Sequence, residues 1–322
     1  MLSSKCQFYG LALQLKQFHS IFMWVVLALM SAILLGIYEV FKKLSVHKNA
    51  VIPVLFISTL TSSLIFLPIT VGSGICPEFF QSIQLFVPEI LSGQHVLIFL
   101  KSVLVVSSWI LAFYAVKNLP ITIVAPIRAT GPIWTLLGAI LIFSEHLNFY
   151  QWIGVIITLL FFYLLSTTGK SEGINFSTNK WVFFIVAATF LGAASGLYDK
   201  FLMRRIDRMA VQAWFSFYQV AILLPVLAVS RWRLPVAERT PFHWRWSIPL
   251  IGVFLVLADY LYFNSLSYED SMISIISSLR RGGVVISFVV GAVVFHEKNI
   301  RRKGIYLAGI LIGILLISLG SH

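Results

Sequence analysis

GIYEVFKKLSVHKNA (residues 36–50) and GLYDKFLMRRIDRMA (residues 196–210) are two versions of one segment. A shift of 160 residues places Gly36, Tyr38, Glu39, Phe41 and Ala50 on Gly196, Tyr198, Asp199, Phe201 and Ala210. Further along, a shift of 152 places Arg128, Gly131 and Glu145 on Arg280, Gly283 and Glu297. Identities are few, so the repeat rests on their order and on the matching hydropathy around them.

Outward from these segments the chain reads as ten apolar stretches: 22–41, 51–71, 96–116, 121–143, 150–167, 181–201, 211–230, 247–266, 271–295 and 304–319. Most are too long and continuous for porin-type strands of about ten residues. A segment that crosses lipid must satisfy its own backbone hydrogen bonds, so each is expected to be a helix. The fold class expected is therefore an all-α multi-pass membrane protein with ten transmembrane helices. The repeating unit is five helices. Five is odd, so the second copy enters from the opposite face, which gives two inverted five-helix repeats. The organisation expected is a leader at 1–21, a first repeat at 22–168, a linker at 169–180 and a second repeat at 181–322.

Composition agrees. Of 322 residues, 59% are hydrophobic and only 11% charged, and the mean hydropathy is +0.92. Soluble domains carry about 25% charged residues. This chain has too little charge to cover a globular surface. Its net charge of +12 is explained by loops facing anionic lipid rather than by nucleic-acid binding. Cys6 and Cys76 are far apart, and no histidines stand at metal-ligand spacing. Neither a disulfide framework nor a metal or other cofactor is expected. The connections 77–93 and 231–246, with Phe79, Phe80, Trp232, Trp244 and Trp246, read as interfacial segments or as packed loops with aromatic anchors.

The five-plus-five repeat, the glutamates Glu145 and Glu297 closing the fourth and ninth spans, and the short apolar tail resemble the drug/metabolite transporter superfamily, in particular its EamA-type members. The resemblance covers 22–320. It implies a carrier with a central cavity between its halves, working by alternating access, with both termini cytoplasmic. The Lys and Arg count points the other way. Lys42, Lys43, Lys48, Lys117, Arg245 and Lys303 belong to the richer side, Arg204, Arg205 and Arg208 to the poorer, so the positive-inside rule puts the termini outside.

Four basic residues fall inside expected spans: Lys101, Arg128, Arg280 and Arg281. An ionised group at the bilayer centre costs roughly 2.5–3.5 kcal/mol on insertion scales, so these should face a wet or paired interior. Pro120, Pro126, Pro132 and Gly131 loosen the fourth span, and Gly282 and Gly283 follow the arginines of the ninth. Arginine's planar donor fork matches carboxylate and phosphate oxygens. The doublet Arg280-Arg281 with a basic residue on the fourth span also resembles the plastid sugar-phosphate translocators, in which basic residues on the corresponding helices clamp a phosphate. Those proteins use lysine at some of these places.

The acids available for pairing are Glu39, Asp199 and Asp259. Glu39 beside Lys42 and Lys43, and Asp199 beside Lys200, read as local interfacial pairs. Asp259 reads as a partner for Lys101 or an arginine, or as a proton-coupling carboxylate. Tyr38, Tyr198, Trp109 and Tyr262 read as cavity walls or gate residues, with core packing as the alternative for each. Glu145 and Glu297 read as helix caps or as local pairs with His146 and Lys298.

The function expected is a secondary transporter of a small organic anion, carboxylate or phosphate. No GxxxxGK[ST] loop supplies nucleotide energy. The alternatives are an exporter of amino acids or drugs whose arginines are neutralised internally, a non-transporting membrane subunit, or a lipid-modifying membrane enzyme. No paired catalytic carboxylates or Ser/His arrangement favours an enzyme. The partners expected are membrane lipids and the solute, with no nucleic acid, in a monomer or homodimer of a plasma membrane, the inner one of a bacterium.

Overall fold

A computed structural model of the chain describes residues 2–134, 148–171, 173–233, 240–266, 268, 276 and 279–319. Side chains are described from Met23 onward, apart from those of 169–171, 200, 231–233, 266 and 318. Among these residues there are eleven helices and no strand: α1 Leu2–Val46, α2 Val51–Ile75, α3 Pro77–Ser82, α4 Ser92–Asn118, α5 Ile121–Ala129, α6 Phe149–Ser171, α7 Lys180–Met203, α8 Arg208–Arg233, α9 Ser247–Leu266, α10 Gly283–Val294 and α11 Ile300–Leu319.

Seven helices among the described residues are long and apolar enough to cross a membrane. They are α2, α4, α6, α7, α8, α9 and the part of α1 from Met23. The expected fourth and ninth spans run beyond the described residues, and α11, which covers the expected tenth, is not among the seven, so a full ten is not reached among the described residues. Most helices also run past the apolar edges read from sequence. Helical hydrogen bonding continues into the polar interface, whereas composition changes at the hydrocarbon boundary. The expected leader, 1–21, is helical from Leu2, and α1 runs on into the first span.

Local sequence explains the sharpest break. Leu119 precedes Pro120, whose ring disfavours helical backbone in the residue before it. Leu119 is accordingly extended, at φ −116° and ψ 153°. The chain turns there from α4 into α5. Within the long helices, hydroxyls are absorbed by carbonyls of the preceding turn. Thr61 donates to Ile57 O at 2.9 Å, Thr70 to Phe66 O at 2.9 Å and Ser102 to Ile98 O at 2.8 Å. No water is needed to satisfy them.

The helix packing respects the repeat. With α1, α2, α4, α5 and α6 matched to α7, α8, α9, α10 and α11, the α1–α9 pair maps onto the α7–α4 pair, and both pack extensively. The α2–α9 pair maps onto α8–α4, and α1–α10 onto α7–α5. The pairs α2–α8, α5–α10 and α6–α11 map onto themselves. Such a set is what a two-fold exchange of halves requires.

Candidate functional site: an ionic network at two matched helix breaks

The fourth and ninth spans are interrupted at equivalent positions. In the fourth, Thr130 N donates to Ile127 O at 3.1 Å and Ile133 N to Thr130 O at 3.0 Å. In the ninth, Gly282 N donates to Leu279 O at 2.8 Å and Val285 N to Gly282 O at 3.0 Å. Each atom of one set lies 152 residues from its counterpart. These tightened i to i+3 turns replace α-helical bonds in mid-span, next to Arg128 in one half and Arg280-Arg281 in the other.

Around the breaks lies a network of charges. Arg128 pairs with Glu39 of α1, and Glu39 also holds Lys42 at 2.5 Å. Arg280 pairs with Asp259 of α9. Its Nε donates to Ser31 Oγ at 3.2 Å, and its guanidinium lies 3.9 Å from the ring centre of Tyr262. Ser31 in turn donates to Ala258 O at 2.7 Å. Lys101 meets Asp199 at 2.5 Å, between the rings of Phe215 and Phe263 at 4.5 and 5.4 Å. Arg281 lies within electrostatic reach of Arg128, Arg280 and Tyr262. Among the described residues it has no carboxylate partner.

Of the predicted residues, Arg128, Arg280, Arg281, Tyr262, Glu39 and Asp259 thus come together, with Lys101 and Asp199 beside them. Glu39 was expected to make a local pair, and the structure adds Arg128 from another helix. Asp199 pairs with Lys101 across α7 and α4; the side chain of Lys200 lies outside the described residues. Tyr38 is buried, with Lys42 Nζ 4.8 Å from its ring centre. With Trp109 it lines a crevice of about 180 Å³ empty volume, too narrow for water. Tyr198 donates to Leu97 O at 3.2 Å and stacks on Phe201, a packing role.

Three loop charges assigned from sequence prove to be interior. Lys42 is 1% exposed, Lys43 8% and Lys303 0%. The reason is that α1 extends to Val46 and α11 begins at Ile300, which places all three within helices. Lys43 Nζ donates to Val116 O at 2.7 Å and Leu119 O at 2.6 Å, carbonyls at the end of α4 that lack helical donors. Glu297 accepts from Ile121 N at 2.8 Å and Thr122 N at 2.9 Å, and also from Thr122 Oγ1. Of the cap and the local pair with Lys298 expected for it, the structure shows a cap, made on α5 of the other half from the end of the ninth span. Lys303 Nζ donates to Thr122 Oγ1 at 3.0 Å. A cation on a C-terminus and an anion on an N-terminus both suit the helix dipoles. Glu145, matched to Glu297, lies outside the described residues.

The same end of the bundle is tied by Asn49 Nδ2 to His243 O at 2.7 Å and by Ser45 Oγ to Ser247 Oγ at 2.6 Å. Sequence gave no sign of Ser31, Phe215 or Phe263 beside the network. It also missed Gln212 and Gln219, which are buried on α8 with side-chain amide nitrogens that meet no partner among the described residues. A furrow of about 440 Å³ between α2 and α8 is lined by Pro53, Phe56, Ile57, Leu224, Leu227, Ala228 and Phe242. The side chains that line it are all apolar.

Comparison with known proteins fits this architecture. The model of the EamA-like transporter family matches residues 22–167 and again 179–319. A solved structure described only as "Crystal structure of protein" is similar over 92% of this chain and 96% of its own, with a TM-score of 0.61 and 12% identity; that likeness concerns the fold alone. No curated protein matches.

Proposed function

We propose, from the premise that the chain belongs to the EamA-like transporter family, that it carries a small organic anion across a membrane through a site built on Arg281. Membership makes it a multi-pass membrane transporter of small molecules. The anionic preference rests on one observation: Arg281 is a guanidinium with no carboxylate partner among the described residues, flanked by Arg128 and Arg280. Three further cations of the interior, Lys101, Arg128 and Arg280, already hold acids. An arriving carboxylate or phosphate would meet the Arg281 fork in surroundings where a charge-assisted pair is strong. The repeats 22–168 and 181–322, joined at 169–180, rock about this site in alternating access, with 1–21 as a leader. A bacterial inner membrane, a lipid surround and a monomeric or homodimeric assembly complete the reading.

The test is a thermal-shift screen of the purified protein against phosphorylated, carboxylated and cationic metabolites, followed by uptake in proteoliposomes. Ligands that bind the folded state raise its melting temperature. An anion should do so, and Arg281→Gln should weaken its binding about tenfold or more, equivalent to at least about 1.4 kcal/mol, while the folded fraction stays unchanged. Unaltered anion affinity in Arg281→Gln removes the proposal.

A second reading is favoured by those same three ion pairs. Arginines paired with acids in this way also suit an exporter of amino acids or drugs, with Asp259 as the coupling carboxylate beside Arg280. Stabilisation by cationic or zwitterionic solutes alone selects that reading.

A further inference from the structure

Gly36 and Gly283 form a seam between α1 and α10. A Cβ built on Gly36 would lie 2.7 Å from Gly283 O and 2.6 Å from Ile286 Cβ, and one built on Gly283 would collide with Ala32 O. Both glycines are buried. Only residues without side chains let the two backbones approach this closely. Exchange of the halves carries Gly36 to Gly196 and Gly283 to Gly131, so the matching seam lies between α7 and the fourth span.

Among the described residues, the glycines of that seam stand apart. Gly196 is exposed, and a Cβ on it would meet no described atom within 4 Å. Gly131 faces a side chain: a Cβ there would lie 2.7 Å from Arg281 Nη2 and 2.9 Å from its Cζ. Ile286, which seals the first seam, has Trp134 as its counterpart, and Trp134 packs on Phe190 of α7 at 5.7 Å. One seam is thus shut, and its equivalent stands open with Arg281 against one of its glycines. Gly131 and Gly283 each lie within the tightened turns of their span, where a helix bends most easily.

We propose that the Gly131–Gly196 seam is the gate through which the anion reaches Arg281. It closes by seating its glycines as Gly36 and Gly283 are seated here, and the Gly36–Gly283 seam parts as it does so. Arg281 must leave Gly131 for the backbones to meet, so the gate and the anion site exclude one another's resting positions. An anion that draws Arg281 away from Gly131 therefore clears the gate to close behind it. This deepens the carrier reading and rests on it for the identity of the passenger, but the motion itself is tested without a solute.

The experiment starts from the chain with Cys6→Ser and Cys76→Ser, carrying Trp134→Cys and Gly196→Cys. These are the counterparts of Ile286 and Gly36, which meet in the shut seam, so closure of the second seam brings them within disulfide reach, whereas here no described atom lies within 4 Å of a Cβ on Gly196. Copper-phenanthroline oxidation in membranes should cross-link the pair. Adding Gly36→Leu, which wedges the first seam, should raise the yield several-fold; Gly36→Ala replaces it if leucine prevents folding. Absence of the cross-link in every inserted and monodisperse background overturns the proposal. So does a yield indifferent to both Gly36 substitutions, because the seams are then uncoupled. A cross-link without any anion binding removes the functional reading and leaves the gate. Arg281-dependent anion uptake with no cross-link does the reverse.

Discussion

Glu39 and Asp199 occupy the same position in the two halves, yet they are used differently. Glu39 serves two cations, Lys42 on its own helix and Arg128 on the fourth span. Asp199 reaches back into the other half for Lys101. Strict symmetry would give Asp199 to Arg280, the counterpart of Arg128. Arg280 instead takes Asp259, a residue of α9, where the first half carries no acid on the matching helix α4. The backbone keeps the two-fold relation, as the matched turns at Thr130 and Gly282 show, while the side chains break it. Duplication fixes where charges can sit. Later substitution on a single helix decides which of them meet.

The largest effect should come from Glu39→Gln, which strands Lys42 and Arg128 together. Breaking a buried pair from one side costs roughly 3–5 kcal/mol, so thermal unfolding in detergent should shift down strongly; no shift would mean Glu39 is dispensable. Lys101→Met should approach the same penalty by isolating Asp199. Adding Asp199→Leu should recover most of it, since an apolar replacement of a whole buried pair is often neutral. Recovery there, with none for an equivalent Glu39→Leu on Arg128→Met, separates the simple pair from the shared one. Glu297→Gln weakens the cap of α5 and removes a carboxylate charge that acts on Lys43, which keeps its two carbonyl acceptors; a loss of about 1–3 kcal/mol is expected, smaller than for either acid of the network. The least effect belongs to Ser31→Ala, about 1 kcal/mol, because Arg280 keeps Asp259 and Tyr262; a loss as large as that of Glu39→Gln would show that Arg280 hangs on α1 rather than on α9.

Much of this was legible in the sequence, and the boundary is physical. Hydropathy locates a residue along the membrane normal, so it puts Lys101, Arg128, Arg280 and Arg281 inside spans, and Pro120, Pro126, Gly131, Pro132, Gly282 and Gly283 mark the fourth and ninth spans as loosened. Hydropathy says nothing about the angle at which a residue leaves its helix. That angle decides that Lys101 meets Asp199, that Ser31 touches Arg280 and that Phe215 covers Lys101. Lys42, Lys43 and Lys303 were misplaced for the complementary reason. A lysine near a span edge looks the same in sequence whether it turns out to solvent or in to the carbonyls of a neighbouring helix.

The elbow at Leu119-Pro120 also has a history during synthesis. Its amides at Ile121 and Thr122 wait for a carboxylate that is 176 and 175 residues further along the chain, while Lys43, which holds the carbonyls on the other side of the bend, is translated long before it. When the first five spans have left the ribosome, this corner is fastened on one side only. The membrane must accommodate an unfinished junction until Glu297 arrives, and a nascent chain stopped short of that residue would be open to quality-control proteases at this corner.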